Sequence, residues 1–385
     1  SSTYEEFEKH ISYLVFAPKP TDKVQISNEH RNIKLKVEQL EDAVFSKRLK
    51  AITVPILKQI KQYMENLLTS NLDLNRDQGF GWIGENVENI RSVRSDAPIL
   101  SICNTEDGYI ATGSGYPSFN INIWSLDDYK IEKTLRGHEK SVTSLVYFSN
   151  TRTLVSGGCD NLIKIWDLDN YTCKFTHKTH LGFVFALAIL SPEKGTFASG
   201  SHDKTIKIWA NDKKGLQKTL YGHGDVVWSL ALLQDKETLA SGGGDGKIKL
   251  WNVSAGECFR TIKAHKDQIN CLVTYQSSKL ISGGDDSWIR IWNWEIGDQP
   301  LLTIKDIKCP IWGLQLMNAD HQRSLVVLGD ETTVYIFDLE EQRVVNQLKG
   351  FEGLVKSTCE TYDGWLLTGD YDKRLRFWNA LKIDQ

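Results

Sequence analysis

The sequence predicts an all-β fold of repeated small sheets. Three observations carry this: a regular period, alternating runs that end in an aromatic residue, and turn residues between the runs. Seven segments close on such an aromatic: INIW at Trp124, IKIW at Trp166, IKIW at Trp209, IKLW at Trp251, IRIW at Trp292, VYIF at Phe337 and LRFW at Trp378. The intervals are 42, 43, 42, 41, 45 and 41 residues, a spacing that marks a repeat architecture. Between the marks, segments such as SVTSLVYF and TLVSGG alternate and are bounded by Gly, Asn or Asp, as short antiparallel strands are. One unit cannot bury both faces of so small a sheet, so the units must stack on one another.

Composition narrows the function classes. The chain has 385 residues, with 46 Lys+Arg against 49 Asp+Glu and a net charge of -3, which gives no electrostatic basis for a nucleic-acid partner. No run of 18 apolar residues exists, so no membrane span is predicted. No signal peptide is visible behind Ser1. Seven cysteines (103, 159, 173, 258, 271, 309 and 359) include no C-x-x-C pair. They read as small hydrophobes in a reducing, intracellular and cytoplasmic setting.

Four units share more than the aromatic. A histidine lies 27 to 29 residues before it, a serine ten before and an aspartate six before. The sets are His138, Ser156, Asp160 and Trp166; His180, Ser199, Asp203 and Trp209; His223, Ser241, Asp245 and Trp251; His265, Ser282, Asp286 and Trp292. Histidine, serine and aspartate together invite a hydrolase reading. The same set recurring once per unit at fixed spacing reads instead as scaffold.

With the turns RGHEKSV, YGHGDVV and KAHKDQI and the segments SGGCDNLIKIWD, SGSHDKTIKIW and SGGGDGKIKLW, the chain resembles the WD-repeat β-propeller family over about residues 86–378. The resemblance implies four-stranded blades around a central channel, with each Asp-His-Ser-Trp set a buried hydrogen-bonded tetrad. The fold class is therefore all-β, a seven-bladed propeller with a small N-terminal α-helical extension. Three units depart from the pattern. The first has Ser95 for His and an insertion in GSGYPSFN, so its tetrad is absent. The sixth has Ile307, Val327, Glu331 and Phe337, and the seventh has Phe351 but keeps Thr368, Asp372 and Trp378.

Two domains are expected, 1–85 and 86–385. Each complete unit continues past its tryptophan into an outer strand, yet only NALKIDQ follows Trp378. ENIRSVRSDAPILSIC aligns with CFRTIKAHKDQINCLV, so residues 86–94 are expected as the outer strand of the last blade, closing the ring. In residues 31–69, Ile33, Val37, Leu40 and Val44 and then Phe45, Leu49, Ile52, Ile56, Ile60, Tyr63 and Leu67 follow helical spacing with one phase slip. Pro55 forces a kink or restart, with Thr53 as a cap. These helices either oligomerise, with the same or another chain, or fold back on the propeller. Residues 70–85 read as a linker.

In propellers of this family the face around the channel entrance is the usual docking surface. Counting from the His position, the third and fifth residues that follow and the residue before the Asp are expected there. Partner-binding candidates are Phe183, Phe185, His202, Val226, Trp228, Asp285, Trp312, Asp330, Leu354 and Tyr371. Large aromatics beside carboxylates suit an apolar or basic-apolar peptide.

No phosphate-cradling loop, HExxH or paired-cysteine site occurs, and the glycines of SGGG and SGGD read as strand-end turn residues. The reading is thus a non-catalytic scaffold or adaptor with protein partners and no catalytic, metal or cofactor site. A helical segment before a propeller is also similar to RING/B-box–coiled-coil–WD-repeat proteins. That makes the substrate-recognition region of a ubiquitin ligase one alternative, any zinc module lying upstream of Ser1. A subunit of a cytoskeletal or ciliary assembly is another.

Overall fold

The computed structural model describes residues 88–379 apart from 106–107, 319–322, 330–331 and 362–363. The chain divides into two units, Ser1–Gln78 and Gly79–Gln385. The helical segment 31–69, the linker 70–85 and the 85/86 boundary lie outside the described residues, as do Asp330 and Glu331.

The described residues form seven four-stranded antiparallel sheets, a seven-bladed β-propeller. Six blades are continuous, at residues 99–135, 142–177, 184–220, 227–263, 269–304 and 311–348. The seventh combines three C-terminal strands (Val355–Glu360, Leu366–Asp370 and Arg374–Asn379) with the strand Glu88–Arg94. That strand runs antiparallel to Arg374–Asn379, with Ser92 opposite Arg376 and Val93 opposite Leu375. The first strand of each blade touches the first strands of its neighbours, and the ring closes between Ile99–Thr105 and Val355–Glu360.

The core lies between blades. Each first strand opens on a fully buried β-branched residue, as in Val142, Val184, Val227, Ile269 and Ile311. Each presses on a glycine of the preceding blade. A Cβ on Gly157 would stand 2.6 Å from Val184, one on Gly242 2.6 Å from Ile269, and one on Gly283 2.6 Å from Ile311. Gly242 and Gly283 therefore lie within strands (Thr238–Gly243 and Lys279–Gly284) as contact residues rather than turn residues. The sequence reading missed this because close approach of a neighbouring sheet leaves no local signal.

The sixth blade inverts the arrangement. Leu328 occupies the glycine position, and Gly313 opposite it makes the room, since a Cβ there would lie 2.7 Å from Leu328. Ile307, Val327 and Phe337 are at most 3% exposed, so apolar burial takes the place of the tetrad in this blade.

Candidate functional site

The four tetrads close as hydrogen-bonded chains, and the donor inventory fixes their direction. An indole N–H can only donate. Trp209 Nε1 donates to Ser199 Oγ at 2.7 Å, Ser199 Oγ lies 2.7 Å from His180 Nε2, and His180 Nδ1 lies 2.7 Å from Asp203. The serine proton must then point to Nε2, which leaves the imidazole proton on Nδ1, facing the carboxylate. His138, His223 and His265 repeat this with Nε2–Oγ distances of 2.7 Å to Ser156, Ser241 and Ser282. All four serines are fully buried beneath an indole, so no substrate carbonyl can reach them. The geometry is that of a scaffold.

The carboxylates Asp160, Asp203, Asp245 and Asp286 all lie below the ordinary value of 3.8. Burial acts against this, and the hydrogen bonds from histidine and backbone N–H groups outweigh it; Asp245 falls to about 2. His180 and His265 lie below 6.5, because burial outweighs their aspartates. Both kinds of group are thus depressed on folding, and each contributes stability that is full above its unfolded value. That stability falls first as pH drops below 6.5, where unfolded histidines take up protons, and again between 3.8 and about 2. Denaturant midpoints measured from pH 8 to pH 2 are expected to decline in these two stages.

Blades one and seven keep half of the network. Trp124 Nε1 donates to Thr112 at 2.8 Å and Trp378 Nε1 to Thr368 at 2.9 Å. Blade one thus retains its indole–hydroxyl link although Ser95 replaces the histidine. In blade seven Phe351 packs at a tilt against Trp378, with ring centres 5.4 Å apart, and offers no N–H. Asp372 accordingly turns to Arg374, 2.9 Å away.

The turns that lead into the first strands are tied by a repeated backbone bond. The N–H of the residue before the tetrad aspartate donates to the carbonyl three residues after the histidine position. The pairs are Cys159 to Ser141, His202 to Phe183, Gly244 to Val226, Asp285 to Gln268 and Tyr371 to Leu354, at 2.7 to 3.1 Å. The fifth residue after the histidine position is then the second residue of the first strand, and in blades three, four and six it is Phe185, Trp228 and Trp312.

Four aromatics form a continuous arc here. His202 and Phe183 lie 5.9 Å apart, Phe183 and Phe185 6.1 Å edge to face, and Phe185 and Trp228 4.3 Å. Phe183 is 39% exposed, with Lys140 over its ring. Trp312 is partly exposed and carries Lys356 Nζ 3.9 Å from its ring centre. Unlike the tetrad indoles, Trp228 has no acceptor for its N–H among the described residues.

The remaining candidates differ. Val226 is 7% exposed, so it offers a partner little. Asp285 is held by Asn270 at 2.6 Å and Gln268 at 2.5 Å, so its charge is already hydrogen-bonded. Leu354 is half-buried, and Tyr371, 48% exposed, stands apart from the arc. Among the described residues, no group of three His, Cys, Asp or Glu side chains could hold a metal, all seven cysteines are free, and no helix is long and apolar enough to cross a membrane.

The WD40 family ("WD domain, G-beta repeat") matches residues 129–167, 171–210, 214–252 and 256–293. The chain is 25% identical to nuclear distribution protein PAC1 of Arthroderma otae over 64% of this chain and 51% of that protein. It is 23% identical to a WD repeat-containing protein 55 homolog of Drosophila willistoni over 73% and 56%. It is 31% identical to cell division control protein 4 of Candida albicans over 32% and 20%. The chain thus spans about half or less of the length of these relatives. The WD40 β-propeller domain of Doa1 superposes with a TM-score of 0.69 at 21% identity, covering 77% of this chain and 98% of that one. The chain carries WD40 repeats within a seven-bladed β-propeller.

Proposed function

We propose that the protein is a non-catalytic interaction scaffold that captures a partner peptide at the channel mouth, with the arc Phe183, Phe185 and Trp228 and the neighbouring Trp312 as anchors. One observation carries the reading: Phe183, Phe185 and Trp228 form an unbroken aromatic run that is partly exposed, and the buried Trp228 N–H has no acceptor among the described residues, whereas each tetrad indole N–H is hydrogen-bonded. Aromatics of this kind, rimmed by polar groups, concentrate binding energy. Lys140 and Lys356 above the rings and Asp285 beside them suit a peptide of mixed apolar and polar character. The relatives' names span nuclear distribution and cell division control, which fits a common platform serving different partners.

The test is affinity capture with Trp228→Ala/Trp312→Ala. Both residues lie off the tetrads, so the variant is expected to unfold within about 1–2 kcal/mol of the parent while losing the proteins the parent retains. An unchanged capture profile with intact folding overturns the assignment.

A further inference from the structure

Blade five departs from its neighbours at the rim. In blades two, three and four the lysine two residues before the tryptophan reaches its own outer strand: Lys164 to Thr176 at 3.0 Å, Lys207 to Thr219 at 3.1 Å and Lys249 to Thr261 at 2.9 Å. Blade five has Arg290 and still presents Thr303 opposite it. The guanidinium nevertheless turns the other way and donates to Asp286 at 3.0 Å. Beside it stands Trp288, partly exposed, where the three preceding blades carry Leu162, Thr205 and Lys247.

Three cations converge on this one indole: Lys305 at 4.2 Å from the ring centre, Arg290 at 4.4 Å and Lys266 at 5.4 Å. Asp286 is fully committed, since His265, Arg290 and the backbone N–H groups of Lys266 and Trp288 all donate to it. Lys266 and Lys305 are exposed, and neither makes an ion pair among the described residues. Like charges gathered at one ring repel each other, and an anion placed between them relieves that repulsion.

We propose that Lys266, Lys305, Arg290 and Trp288 form an anion site for the phosphate group of a phosphorylated peptide. A phosphate dianion offers three acceptor oxygens to converging cations. The positive spot is confined: Asp267 and Asp306 adjoin the two lysines, and the chain as a whole carries -3. A polyanion such as RNA or an anionic membrane needs an extended basic face, so a single phosphorylated side chain is the matching ligand. Peptide as the carrier rests on the scaffold reading above; the anion site itself does not.

The test follows the indole N–H resonances of the ¹⁵N-labelled full chain, with Trp288→Phe assigning the signal. Inorganic phosphate is titrated at constant ionic strength. A saturable shift of the Trp288 signal is expected, about tenfold weaker in Lys266→Ala/Lys305→Ala, a variant expected to melt at the parent's temperature. An unmoved signal, or equal binding by the double variant, overturns the site. The same two proteins are then offered a phosphoserine peptide pool, its unphosphorylated counterpart, single-stranded RNA and phosphatidylserine vesicles. Retention of the phosphorylated pool alone, lost in the double variant, supports the assignment. Retention of RNA or vesicles instead, or of both peptide pools equally, overturns the phosphopeptide assignment while leaving the channel-mouth test untouched.

Discussion

Deletion of residues 88–94 is expected to abolish cooperative, monomeric folding. This strand supplies the outer edge of blade seven and pairs with Arg374–Asn379 from the far end of the propeller's sequence. Its Val93 packs on the cluster of Ile99, Leu375 and Phe377, Arg91 lies 4.2 Å over the Tyr129 ring of blade one, and Ser95 N donates to Lys373 O at 2.7 Å. Without it, Arg374–Asn379 becomes an open edge, a template for pairing with other chains, and the clasp that fixes blade seven in the ring is lost. Light scattering and denaturant unfolding read the outcome: oligomers or a broad, non-cooperative transition are expected, and restoring the segment after Gln385 through a flexible linker is expected to rescue the monomer. A deletion variant as monomeric and cooperative as the parent contradicts this role.

The second large effect is expected at Asp370. Its side chain is fully buried and pairs with Arg376, itself 4% exposed. The guanidinium also donates to Gly350 O at 3.1 Å and lies 4.7 Å over the Phe351 ring. Burial lowers the arginine's pKa, yet the group stays protonated because its ordinary value is so high. Asp370→Ala therefore leaves the buried guanidinium with only the more distant and less buried Asp372, 3.7 Å away, and a loss of about 3 kcal/mol is expected by urea unfolding. Asp370→Ala/Arg376→Leu is expected to regain much of that, because the unpaired charge is gone. A loss within about 1 kcal/mol for Asp370→Ala would mean that the pair contributes no more than an exposed one.

Much of the fold is legible in the sequence because its determinants recur. Trp166, Trp209, Trp251 and Trp292 each need a hydroxyl ten residues earlier, and the register makes the two diagonal neighbours on one face of the blade, since Ser199 stands opposite Lys207 and Phe197 opposite Trp209. What occurs once is not legible. The Asp370–Arg376 pair looks like a surface turn until Phe351 is seen to have removed the usual histidine. The Gly313–Leu328 exchange takes meaning only across two paired strands. In the turns before the first strands, counting from the histidines picks out Phe183, Phe185, Trp228 and Trp312, but it does not separate exposed Phe183 from buried Val226, because exposure depends on the neighbouring blades. Trp288 has no repeated counterpart, and its cations come from two different loops and from the strand Ile289–Asn293.

The most direct test of the scaffold reading is site-specific photo-crosslinking in cell extract, with the photoreactive residue at Leu354 on the channel mouth or at Phe259, 55% exposed on the outer strand Glu257–Lys263. The account predicts discrete adducts from position 354 that vanish in the Trp228→Ala/Trp312→Ala background and none of those adducts from position 259. The same adducts from position 259, or adducts at 354 that survive loss of both tryptophans, would contradict it.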